Sequence, residues 1–147
     1  MAPFTRLPAN IAQDAARRAA ALLARDPRVR LVYVFGSATR PAAEVVRDVD
    51  LGIASEPAIT GDELDRVRAD LVLATGVPID LVSLGEASVV LSREIADTGQ
   101  CLYAAGPDDE VAFVTRARAR YWDFKPFLDE QWRLSGERIE ERRGRQG

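Results

Sequence analysis

Apolar positions recur at near-helical spacing from Pro8 to Arg25, where Leu7, Ile11, Ala15, Leu22 and Leu23 run through an Ala-rich segment. Pro8 suits a first helical turn and Asp26-Pro27 supplies a stop, so the pattern predicts a helix. Arg30 to Phe35 changes to a run of β-branched and aromatic residues, the signature of a strand buried on both faces. Gly36-Ser37 breaks that run. Ser37 to Val46 is short, mixed and contains Pro41, which predicts a brief helix and a loop. Asp48 to Ile53 alternates acidic and apolar residues and reads as a second strand. Thr60-Gly61-Asp62-Glu63 has the spacing of a capping box, followed by Leu64, Val67 and Leu71 on one face of a helix that Gly76 ends.

Further along, Pro78 to Leu84 predicts a third strand. Ala87 to Ala96 predicts a helix with Val90, Leu91 and Ile95 inward, closed by Gly99, and Gln100 to Ala104 a short fourth strand. Gly106-Pro107-Asp108 opens a long helical stretch past Trp132, which Pro126 should kink or divide, with a charged tail from Ser135 that should fray. The order is α-β-α-β-α-β-α-β-α. It predicts one α/β (α+β) domain over residues 1–147, with a mixed sheet of about four strands flanked by helices and a C-terminal helical extension at 107–147.

Composition narrows the chemistry. The 47% hydrophobic and 29% charged content is that of an ordinary globule. The 147 residues contain no histidine, one cysteine and a single lysine, Lys125. Imidazole bases, Ser-His-Asp triads and the usual zinc ligand sets are therefore excluded within one chain. Lys125 sits in Phe-Lys-Pro, not in a Walker-type loop. Carboxylates remain, and as hard oxygen donors they suit Mg²⁺, Mn²⁺ or Ca²⁺. A net charge of −3 argues against a dedicated nucleic-acid binder. The start, Met1-Ala2-Pro3-Phe4-Thr5-Arg6, is not followed by a signal-peptide core. No apolar run is long enough to span a bilayer, and Cys101 stands alone. These features lead us to expect a cytoplasmic protein.

The most informative stretch is Gly36-Ser37, then ten residues, then Asp48-Val49-Asp50. Side chains alternate along a strand, so Asp48 and Asp50 share a face and repel, a cost that a cation would offset. Gly36-Ser37, between a strand and a short helix, suits an anion cradle. A ten-residue connection allows the second strand to return antiparallel beside the first, which brings cradle and acids together. Asp80 interrupts the apolar run Ile79 to Leu84 and joins them if the third strand neighbours the second. The bland alternative makes Asp48, Asp50 and Asp80 edge or turn acids and Gly36-Ser37 a simple helix cap.

These residues resemble the minimal nucleotidyltransferases of the DNA polymerase β superfamily, whose signature is Gly-Ser, a spacer, Asp-x-Asp and a third Asp on a later strand. Arg120-Tyr121-Trp122-Asp123-Phe124 is similar to a stretch of that family's C-terminal helix. Arg47 departs from the pattern, since relatives often carry Ser or Asn there. The resemblance implies Mg²⁺-dependent transfer of a nucleoside monophosphate, AMP from ATP, with release of pyrophosphate. It implies two Mg²⁺ ions held by Asp48, Asp50 and Asp80, phosphates held by Gly36 and Ser37, and Asp80 near the acceptor hydroxyl. Many such proteins are antitoxins paired with a HEPN-domain RNase, and some modify a tyrosine of that partner. The alternative from a different class is a non-catalytic module that neutralises the toxin by masking its surface.

Two features stand outside that signature. Arg116 and Arg120 lie one turn apart and read either as a solvated face or as a contact for an acidic partner or nucleic acid. Tyr121, Trp122, Phe124, Phe127 and Trp132 read either as docked on the protein's own core or as a homo- or hetero-oligomer surface.

Overall fold

The computed structural model describes residues 7–39 and 45–146, with side chains through residue 137 apart from Val45. The N-terminal hexapeptide, the loop around Pro41 and the charged side chains beyond 137 lie outside the described residues. In chain order the elements are β1 (Leu7–Pro8), α1 (Ala9–Leu23), β2 (Val29–Phe35), a 3-10 turn (Gly36–Thr39), β3 (Val45–Val46), β4 (Val49–Ser55), α2 (Gly61–Thr75), β5 (Ile79–Ser83), α3 (Val89–Thr98), β6 (Gln100–Ala104) and α4 (Asp109–Gln146).

The main sheet has the order β5-β4-β2-β6. β4 returns antiparallel beside β2, with Phe35 opposite Asp50, and β6 pairs antiparallel with the other edge of β2. β5 runs parallel to β4 after the α2 crossover, in the register Asp50 to Asp80. This is the mixed four-stranded sheet that the pattern predicts. An additional two-stranded ladder, β1 with β3, was not foreseen. Two residues per strand are too few for a period-two signal to emerge.

Alternation divides the sheet into two faces. Val32 and Val34 of β2, Val49, Leu51 and Ile53 of β4, and Ile79 and Leu81 of β5 pack with the alanine face of α1 and with Leu71 of α2. Leu31, Tyr33 and Leu84 face the other way and meet Ile95 of α3, with Phe113 of α4 against the same cluster. α1 owes its close approach to Ala12, Ala15, Ala16, Ala19 and Ala20, all buried, whereas Ile11 points to solvent.

Several local expectations are corrected. Thr60 precedes α2 but makes no side-chain cap bond. Glu63 of the expected capping box instead accepts from Arg28 at 3.0 Å, a partner 35 residues away. In α3 Val90 is exposed, and the buried positions are Ser92 and Ile95. Pro126 does not divide α4, which is one assigned helix of 38 residues. The C-terminal aromatics do not dock on the core: Trp122, Phe127 and Trp132 are exposed, and Tyr121 carries the Arg93 guanidinium 3.9 Å from its ring centroid. Among the described residues no helix is long and apolar enough to cross a membrane.

Candidate functional site

The acids gather where β2 ends and where β4 and β5 begin. Asp50 is the second residue of β4 and stands beside Asp80 in the parallel ladder, with backbones about 4.8 Å apart. Both side chains leave the face covered by α1 and α2, because their neighbours Val49, Leu51, Ile79 and Leu81 fill that core. On the opposite face, α3 and α4 pack over β2 and β6. The β4-β5 end of that face is therefore left for the carboxylates.

Gly36 closes the arrangement from the other strand. Its φ of +73° lies in the left-handed region, and a Cβ built there would sit 2.5 Å from Asp50 Oδ2. Only a glycine lets the chain leave β2 and pass this close to the carboxylate. The turn that follows is tied by Thr39, whose hydroxyl donates to the Gly36 carbonyl at 2.7 Å. Sequence reasoning passed over Thr39. The available signal was a hydroxyl residue three positions after a strand-ending glycine, suited to this back-bond. Ser37, half-buried, follows Gly36 in the same turn.

Asp48 is placed differently from the expectation. It lies in the bend before β4, and its side chain is exposed. The β4-β5 ladder starts one residue later, where the Val49 amide donates to the Pro78 carbonyl at 3.0 Å. Asp48 and Asp80 line one groove together with Leu7 and Arg68. Arg68, on α2, donates to the Ile79 carbonyl at 3.4 Å and brings a guanidinium to the acids. It too escaped the sequence reading, which had no means of knowing that α2 would turn this residue toward the N-terminal end of β5.

Electrostatically the acids are coupled. Burial, then the charges of Asp80 and Asp48, push the Asp50 carboxyl up from 3.8 to about 6. Among the described residues no group of three or more His, Cys, Asp or Glu stands close enough to hold a metal ion. Asp50 and Asp80 nevertheless suit a hard divalent cation in kind: two oxygen donors side by side, one of them half-buried with no cation hydrogen-bonded to it. The closed approach of Gly36 fits a small, oxygen-rich ligand above them.

Known proteins match the stretch of chain that carries these residues. The family model described as polymerase beta, nucleotidyltransferase matches residues 18–108, which spans β2, the Gly36 turn, β4 and β5. The chain is 29% identical over 94 residues to a Shewanella oneidensis protein named protein adenylyltransferase MntA, covering 63% of this chain and 68% of that protein. In fold it is similar to the crystal structure of the MntA-HepT toxin-antitoxin (TM-score 0.65, 21% identity, 82% of this chain and 98% of that one). It is also similar to a crystal structure of the toxin-antitoxin with AMP-PNP (TM-score 0.68, 22% identity, 79% and 98%). A third similar structure holds a tri-AMPylated Shewanella oneidensis HEPN toxin in complex with an MNT antitoxin (TM-score 0.65, 23% identity, 82% and 98%).

Proposed function

The chain belongs to the polymerase beta nucleotidyltransferase family, and we propose that it moves AMP from ATP onto a hydroxyl of a HEPN-domain partner, as the antitoxin of that pair. The observation that carries the reading is Asp50 beside Asp80 with the Gly36 turn closed on Asp50. The names of its relatives, an adenylyltransferase and AMPylated toxin complexes, support the choice of donor and acceptor.

In this reading Asp50 and Asp80 would hold Mg²⁺, two ions by analogy with other phosphoryl-transfer sites, and Asp48 would have to swing in from the bend before β4 to join them. When bound, the metal supplies positive charge to the reacting phosphate and to the leaving pyrophosphate. The chain's own residues do the positioning. The Gly36-Ser37 turn presents its amides and the Ser37 hydroxyl to the β- and γ-phosphates. Asp80, the more exposed of the two ladder acids, accepts the proton of the acceptor hydroxyl as that oxygen attacks the α-phosphorus. The new O–P bond forms as the bond to the bridging oxygen breaks, and pyrophosphate leaves with the electron pair. No covalent enzyme intermediate is needed, so catalysis is positioning and electrostatics. Near neutral pH most Asp50 is ionised, as a ligand must be. The nucleotidyltransferase unit carries α4 as an extension, and its exposed aromatic residues suit a partner surface. ATP as donor is in keeping with a cytoplasmic setting.

The test is incubation with Mg-ATP and the HEPN partner, read by intact mass. Parent protein adds one or more AMP units to the partner. Asp80→Ala lowers the rate at least 100-fold while leaving the melting temperature within a few degrees. A tight complex without any mass gain would overturn the catalytic reading and leave surface masking.

A further inference from the structure

A second cavity, of about 310 Å³, opens at the other end of the sheet. Here β2 starts and β4 and β5 end, and α3 and α4 form the roof. Ala54 lies about 13 Å along β4 from Asp50 at ~3.3 Å per residue. Nucleotidyl transfer as read above makes no use of this space. We propose that it is a second ligand site, for a small molecule joining an oxyanion to an apolar body.

Three independent features point to a ligand. The first is Ser92, on the α3 wall. It is only 2% exposed, and its Oγ is the one buried side-chain polar atom among the described residues that lacks a hydrogen-bond partner. A buried hydroxyl without a partner costs stability that alanine would not. A donor kept at such a cost beside a cavity fits a bound acceptor. The second is the charge at the mouth. Arg116 and Arg120 stand one turn apart on α4 and line the cavity. Neither forms an ion pair among the described residues. Their neighbours are engaged: Arg118 binds Asp97 at 3.1 Å, and Arg30, also at the cavity, binds Asp109 at 2.9 Å. Asp109 is further occupied by the Gly106 amide at 2.8 Å. Glu56 is the other acid of the lining. Two unengaged guanidinium forks match an oxyanion. The third is the floor and wall: Leu31, Leu84, Phe113 and Ala117 are apolar. A bare inorganic ion would leave that surface unused, whereas a ligand with an apolar body covers it.

The experiment titrates the full chain, free of divalent metal, with phenyl phosphate, inorganic phosphate and phenol, followed by amide NMR shifts. Phenyl phosphate produces saturable shifts at Gly85, Ser92 and Ala117 and none at Gly36 or Asp80. Inorganic phosphate and phenol each bind at least tenfold more weakly, because each offers half of the recognition. Replacing both Arg116 and Arg120 with alanine weakens phenyl phosphate at least tenfold. Ser92→Ala weakens it several-fold while melting at the same or a higher temperature. That pairing marks a hydroxyl kept for a ligand and not for the fold. Asp50→Asn leaves the affinity unchanged. The proposal is overturned if no probe gives saturable shifts, or if the shifts centre on Gly36 and Asp80. It is equally overturned if the arginine replacements leave the affinity intact, or if Ser92→Ala lowers the melting temperature with affinity unchanged.

Discussion

Replacing Asp50 with asparagine should make the protein more stable while removing its activity, and the gain should depend on pH in a definite direction. The Asp50 carboxyl is raised from 3.8 to about 6, by burial first and then by the charges of Asp80 and Asp48. In the unfolded chain it ionises near 3.8; in the folded protein it resists until about 6. Its contribution to stability is therefore complete below pH 3.8, falls as pH rises through 6, and stays low above that. At about 1.4 kcal/mol per tenfold change in the proton equilibrium the penalty is at most about 3 kcal/mol. Asp50 is only half-buried, and partial solvent access reduces the penalty to about 1–2 kcal/mol. Asparagine keeps the shape and carries no charge. At pH 8 and without divalent metal, Asp50→Asn should melt about 3–8 °C above the parent, and the two should converge near pH 4. The assay is thermal or urea unfolding of both proteins in chelator between pH 4 and 8. The difference between them isolates Asp50 from the other carboxylates, which titrate in both. A variant curve parallel to the parent's across that range, or a gap that widens as pH falls, would refute the reasoning.

The remaining predictions test the neighbouring parts. At pH 8 added Mg²⁺ should raise the melting temperature of the parent and much less that of Asp50→Asn, because the ion offsets the same repulsion; scanning calorimetry with and without chelator reads this. Gly36→Ala should cost about 1–3 kcal/mol in urea unfolding and abolish nucleotidyl transfer, since its Cβ would meet Asp50 Oδ2 at 2.5 Å from a backbone at φ +73°. Thr60→Ala should cost less than about 0.5 kcal/mol, below the ~1 kcal/mol of a working cap. Glu63→Gln should cost under about 1 kcal/mol, and high salt should erase the difference, as for a part-exposed ion pair with Arg28.

The sheet and the meeting of Gly36 with Asp50, which stands beside Asp80, were legible because each has a local signal with one structural outcome. Buried strands show as β-branched runs, a glycine closes β2, and acids interrupt the apolar runs of β4 and β5. What escaped was decided by distant parts of the chain. Alternation from Asp48 to Ile53 cannot say where the ladder begins. The Val49–Pro78 bond begins it, so Asp48 stays in the bend. The Thr60–Glu63 spacing is a sound capping signal, yet Arg28 competes for the same carboxylate and wins. In α3 the helical period requires inward positions without saying which residue fills them, and Ser92 lies inside while Val90 lies outside. The aromatic residues of α4 were open to two readings because composition does not distinguish a core-facing stripe from a free one. Their exposure favours the free one.

β4 links these observations. Its odd positions, Val49, Leu51 and Ile53, are wholly buried against α1 and α2, so its even positions must all open on the other face. Along that face Asp50 comes first, Gly52 next and Ala54 last, the first at the acids and the last in the second cavity. Gly52 separates them. A Cβ there would lie 2.6 Å from Leu84 Cδ2 and 3.7 Å from Phe35 Cε1. The glycine thus allows Leu84 and Phe35 to settle onto the strand and form an apolar barrier. That pair lies along the strand between Asp50 and Ala54, between the acids and the arginine-rimmed cavity.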